Sequence, residues 1–144
     1  MTDSAPATGT AASLAADPSL VSYTHWMYAL HATSAAIGLF GSAFIITAFV
    51  FGLPSIVAVV MNYVRRSDAR GTPLESHFAW QLRTFWTALL WAVGISVLCA
   101  ILAATLILLP FAAIFFYGGM FGVGLWVIYR IARGWLKLND GQQP

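Results

Sequence analysis

The chain has 144 residues, enough for one domain; 60% are hydrophobic and only 8% charged, against roughly 25% charged in ordinary soluble domains. A soluble fold cannot cover its surface with so few charges, so lipid is the expected solvent for most of the exterior. The formal charge is +2, and the basic residues form two short clusters beside apolar runs, the pattern of membrane flanks rather than of a phosphate-binding face, so nucleic acid is not an expected partner.

Residues 1–20 are rich in Ala, Ser, Thr, Pro and Asp, with no basic or aromatic side chain before Leu20. They read as part of a disordered polar tail ending near residue 22. Without a basic n-region and a compact apolar core, this tail does not read as a secretory signal. From Trp26 to Val64 there is no Asp, Glu, Lys or Arg. As one helix that stretch would be roughly 58 Å long, about twice the hydrocarbon thickness, so two elements are expected. Gly52-Leu53-Pro54 is the expected break, because Pro54 lacks an N–H donor and disfavours helix at Leu53. A first span is expected near 24–49 and a second near 54–63. The second is too short to cross unless the turn falls earlier, around 47–50, and a broken or re-entrant pair is the alternative.

The run Arg65-Arg66-Ser67-Asp68-Ala69-Arg70-Gly71 is a polar turn, and Thr72-Pro73-Leu74-Glu75 follows it directly. Thr72 can cap, Pro73 suits the first helical position, and Glu75 stands where a capping box needs its acid. From Thr84 to Tyr129 the chain is again free of ionised side chains, which fits two spans, near 81–108 and 111–133. Pro110 is the expected corner, with Gly118-Gly119 as the other candidate. Arg130, Arg133 and Lys137 then interleave with Ile131, Trp135, Leu136 and Leu138, before a polar tail at 139–144. The expected fold is all-α: a polytopic membrane bundle of about four helices over 23–138. Arg65, Arg66, Arg70 and Arg83 fall on the same side as Arg130, Arg133 and Lys137 if the last two spans form a hairpin. Both clusters, and the final residues, then face the cytoplasm. Four spans place the N-terminal tail there too, whereas a single broken element in the first region would place it outside.

The stretch from Asp68 through Arg70-Gly71-Thr72-Pro73-Leu74-Glu75-Ser76-His77 to Trp80-Gln81-Leu82-Arg83-Thr84-Phe85-Trp86 resembles a signature of a family of uncharacterised small proteobacterial transmembrane proteins. Tyr129-Arg130-Ile131 and Gly134-Trp135-Leu136-Lys137-Leu138-Asn139-Asp140-Gly141 resemble that family's ending. The likeness covers roughly 25–141. The family is similar in layout to a wider group that includes a chloroplast protein-import membrane component. The resemblance implies a multi-span protein of the bacterial inner membrane and brings no reaction with it.

Few residues offer chemistry. His77, Gln81 and Thr84 share one helical face, a stripe suited to a ligand headgroup or a partner helix; the alternative is an interfacial histidine bonded to water, lipid or nearby acids. Glu75 and Arg83 complete this candidate polar face, although Arg83, beside Phe85 and Trp86, also reads as an interface anchor. His25 and His31, six residues apart, lie about 240° apart on a helix and cannot grip one metal together. His31 lies deeper and needs a hydrogen-bond partner; axial haem ligation is the other use for it. Cys99 reads as an apolar filler, and the tryptophans as interface belts. Ser34, Gly38 and Ser42, and Gly118 and Gly122, are candidate positions for close helix packing, within the chain or between copies.

No acid falls inside an expected span, which argues against coupled transport. Hydrolase, zinc-protease and phosphate-loop patterns are absent. No catalytic, metal or cofactor site is therefore expected. The expected role is a non-enzymatic accessory or interaction subunit of the inner membrane, in contact with the lipid bilayer and with other membrane proteins or itself. The alternatives are an oligomeric pore or translocation element, then a haem-binding or lipid-modifying enzyme.

Overall fold

The computed structural model describes residues 17–40 and 45–144, with backbone alone at 39, 40 and 45–51. Four helices follow in chain order: α1 Pro18–Phe40, α2 Ile45–Val64, α3 Leu74–Ala103 and, after a 3-10 turn at Leu106–Leu108, α4 Leu109–Asn139. No strand occurs among the described residues.

Helix α1 starts earlier than the polar tail was expected to end. Asp17 caps it: its Oδ1 accepts the Ser19 N–H at 2.9 Å, its carbonyl accepts from Leu20 and Val21, and Pro18 takes the first helical position. That hydrogen bond holds the Asp17 carboxyl below its usual 3.8.

The expected break at Gly52-Leu53-Pro54 is also overturned. Pro54 lies inside α2, where it forfeits its own N–H bond to the preceding turn while the helix continues through it. The helix is about 30 Å long at 20 residues, three turns more than 54–63 would allow. Residues 41–44, between α1 and α2, lie outside the described residues, and Ser42 is one of them.

At the start of α3, Thr72 Oγ1 accepts the Leu74 N–H at 3.2 Å. Glu75, however, reaches back to the Gly71 N–H at 3.0 Å, one residue beyond the expected box, because the Thr72 N–H already bonds the Ala69 carbonyl. Gly71 has φ +73°, a conformation that lets the loop double back at no side-chain cost. Pro110 sits in the first turn of α4 as a corner residue should, and Gly118-Gly119 lies within that helix. α4 ends in a Schellman motif: Gln142 N–H bonds the Lys137 carbonyl, Gly141 N–H bonds that of Leu138, and Gly141 takes φ +65°.

The helices run up, down, up, down. α1 packs mainly on α2 and α4, and α4 on α3, whereas α2 and α3 touch little. The start of α1, the loop from Arg65 to Pro73 and the end of α4 therefore share one end of the bundle, and both basic clusters lie there. The core lies near that end too: Leu20, Met27, Tyr28, Leu74, Phe78, Ile131 and Leu138 are buried together. Away from it, α3 and α4 turn apolar surface outward, with Leu90 73% and Ile114 70% exposed. Two helical stretches, Leu74–Ala103 and Leu106–Asn139, are long and apolar enough to cross a membrane, and only 6% of each one's most apolar window is buried. A soluble protein's core helix would be covered instead. Gly52–Val64 is a shorter apolar stretch.

Candidate functional site

The buried polar residues collect at the charged end. His77, 2% exposed, stands between two elements far away in sequence. Its Nε2 lies 2.8 Å from the Gln142 carbonyl and its Nδ1 3.0 Å from the Tyr28 hydroxyl. A carbonyl only accepts, so Nε2 carries the hydrogen, and in the neutral ring Nδ1 accepts from Tyr28. The Tyr28 ring is nearly parallel to that of Trp135, and Trp135 Nε1 donates to His25 Nδ1 at 2.9 Å. Four rings thus tie α1 to α3 and α4, and the Schellman turn presents the Gln142 carbonyl to His77. Gly134 makes this possible: a Cβ there would stand 2.6 Å from the Tyr28 hydroxyl and 3.0 Å from Trp80 Nε1.

Arg130 lies one turn from Gly134. Its guanidinium carbon is 3.7 Å from the centroid of Trp80 and 5.1 Å from that of Trp126, a geometry in which the ring quadrupole attracts the cation. Its Nε donates to Thr84 Oγ1 at 2.8 Å, Trp80 Nε1 donates to its carbonyl at 3.1 Å, and its Nη2 is buried without a partner. The one ion pair among the described residues is Arg65–Asp68, in the loop.

Beneath this layer is a cavity of about 410 Å³, lined from all four helices. On α1 it extends from Tyr28 to Gly38 and on α3 from Trp80 to Ala92, roughly 15–18 Å along the bundle at 1.5 Å per residue. Its end near the charged surface is polar, with His31, Ser55, Gln81 and Thr84. His31 Nδ1 is 3.1 Å from Ser55 Oγ, which supplies the partner expected for this histidine, but its Nε2 meets none. The Gln81 amide is buried with neither its nitrogen nor its oxygen partnered. The far end is apolar, with Gly52, Ala88, Leu89, Ala92 and Val123.

The structure divides the candidate polar face. His77, Gln81 and Thr84 share the buried side of α3 as their spacing implies, so His77 is an interior residue and not an interfacial one. Glu75 and Arg83 point outward, Glu75 to cap the helix and Arg83 to the surface. Of the two expectations for the small residues, packing within the chain or between copies, the first is not met. No atom lies within 4 Å of where a Cβ would sit at Gly38, Gly118 or Gly122, so none of them makes a close helix contact among the described residues. Ser34 and Gly38 line the cavity, and Gly118 and Gly122 face outward. Close approach occurs at Gly134 and at Gly119, which meets Ile95. Both have an isolated small side chain with no repeat at four-residue spacing, so that pattern could not find them. Arg130, Tyr28 and Ser55 were missed for a related reason: each acts through partners at least 24 residues away.

No protein-family model matches the chain, and comparison with curated proteins and with solved structures gives no match either.

Proposed function

We propose that the chain is an integral protein of the bacterial inner membrane, crossing it four times with both basic clusters on the cytoplasmic side. In this reading it acts as a non-enzymatic accessory or interaction subunit within a larger membrane assembly. The observation that carries the reading is the α3–α4 pair, whose most apolar stretches are almost wholly uncovered and therefore suit lipid or another membrane helix as the neighbour. The common location of the Arg65–Arg70 loop and the end of α4 supports the orientation, since basic flanks favour the cytoplasmic side. The outward-facing Gly118 and Gly122 beside Phe121 and Leu125 support an interaction role: a partner backbone can approach there closely. The resemblance of the 68–86 segment to small proteobacterial membrane proteins agrees with the location.

Carbonate extraction should leave the protein in the membrane fraction. Reporter fusions after Gly71 and after Gly141 should both report cytoplasmic, and crosslinking in cells should trap a discrete higher-mass species that Gly122→Leu removes. Release by carbonate, or reporters on opposite sides, would overturn the topology. A crosslinking pattern without any discrete adduct would overturn the accessory role.

A further inference from the structure

We infer that the cavity between the four helices is a binding slot for a single-chain amphiphile whose uncharged head carries a hydroxyl, free or as part of a protonated carboxyl. The volume of about 410 Å³ is drawn out over a length of roughly 15–18 Å, an elongated space that suits a hydrocarbon chain laid along the helices. The volume is also within the ~300–1,000 Å³ of small-molecule pockets.

The polar end selects the head. Gln81 is 3% exposed and its Oε1 has no partner; His31 is 6% exposed and its Nε2 has none. Buried polar atoms are nearly always satisfied, and leaving them unsatisfied costs their full desolvation. Both atoms of the Gln81 amide lack a partner: Oε1 only accepts and needs a donor, and Nε2 needs an acceptor. A hydroxyl supplies the donor and, with its lone pairs, can accept from Gln81 Nε2 or from His31 Nε2 while His31 Nδ1 accepts from Ser55. An ester, a phosphodiester or a quaternary ammonium head offers Gln81 no hydrogen. Water would satisfy the polar end alone; Ala88, Leu89, Ala92 and Val123 give it nothing to bond. An alkyl or prenyl chain fits that half instead.

The test uses the full chain in nanodiscs of diacyl phosphatidylcholine, a lipid without a hydroxyl, and radiolabelled 1-dodecanol as probe. Saturable binding at one site per chain is expected. Monododecanoylglycerol should displace the probe, while methyl dodecanoate and dodecane should compete about tenfold less well, the worth of the missing hydrogen bonds. Dodecanoic acid should compete only below the pH at which it ionises, which separates an alcohol from an acid as the source of the hydroxyl. Gln81→Leu should bring dodecanol down to the level of the methyl ester. Ala92→Phe, at the apolar end and away from the hydrogen-bond layer, should abolish binding of every chain, so the inference stays testable if Gln81→Leu does not fold. Absence of saturable binding, equal competition by dodecane, competition by the ionised carboxylate, or an unchanged Gln81→Leu would each overturn it. None of these outcomes depends on membrane orientation or on a partner protein.

Discussion

Gly134→Ala is the smallest change that should break the structure. Glycine in a helix interior is about 1 kcal/mol worse than alanine, so at an open site the substitution stabilises. At Gly134 the new methyl would stand 2.6 Å from the Tyr28 hydroxyl, 2.9 Å from its ring and 3.0 Å from Trp80 Nε1. Neither ring can yield freely: Tyr28 is fully buried against Trp135 and bonded to His77, and Trp80 lies under Arg130 and donates to its carbonyl. Overpacking of this kind costs about 1–3 kcal/mol, and stranding His77 Nδ1 costs about 1–3 kcal/mol more. Set against the propensity gain, the net loss should be about 1–5 kcal/mol. Gly118→Ala and Gly122→Ala, where nothing lies within 4 Å, are the matched controls and should gain up to about 1 kcal/mol. Reversible unfolding of the three variants in mixed micelles reads the difference directly. A Gly134→Ala protein as stable as the wild type would mean that α1 and α4 do not approach here, and the ring layer would fall with that contact.

Three further outcomes follow from named bonds. His77→Phe keeps a ring but loses both hydrogen bonds; stability should drop by about 1–3 kcal/mol, and amide exchange at Gly141 and Gln142 should quicken as the end of α4 is released. Thr72→Ala with Glu75→Ala should cost about 1–2 kcal/mol without affecting insertion, and Gly71 amide exchange should rise because Glu75 holds that N–H. The folded Asp17 carboxyl ionises below 3.8; its cap is complete above that pH and is lost as pH falls through the folded value, so amide exchange at Ser19 should accelerate there. Asp17→Ala should abolish that pH dependence.

Charge-free runs and local signals made the helices legible. Thr72-Pro73-Leu74-Glu75 and Pro110 mark real helix starts, and the two basic clusters meet at one end as the hairpin reading requires. The failures have separate causes. Pro54 reads as a breaker because it lacks an N–H and crowds the preceding turn, yet the loss of that one bond does not end the helix. Small residues at four-residue spacing read as contacts within the chain or between copies; Gly38 lines a cavity and Gly118 and Gly122 face outward, so the intrachain contact is not made there. The Asp17-Pro18 start shows the opposite error: an ordinary cap and first-turn proline hidden by the polar composition before them. The candidate site was half visible, since His77, Gln81 and Thr84 at helical spacing define its α3 wall. Tyr28, Ser55 and Arg130 come from the other three helices, and no local pattern could assign them to it.

The hydrogen bonds between helices explain why the polar layer and the apolar slot are joined. Those from Tyr23 to the Met61 carbonyl, Asn62 to the Phe78 carbonyl, Tyr28 to His77, Trp135 to His25 and Arg130 to Thr84 all lie near the charged end. Farther along α3, the side-chain bonds of Ser96 and Thr105 are local, to carbonyls three or four residues back. In the membrane setting proposed above, apolar contacts between helices carry no hydrophobic driving force, because the lipid tails compete on equal terms. On that reading the end with the polar layer is the fixed frame, and the far half of α3–α4 is held by packing without hydrogen bonds between the helices, as where Ile95 meets Gly119. A slot with its polar mouth in the frame and its apolar end in the looser half can admit a chain there without disturbing His77, Tyr28 or Arg130. The same separation leaves the outward faces of α3 and α4 free to meet a partner helix while the charged end keeps the fold.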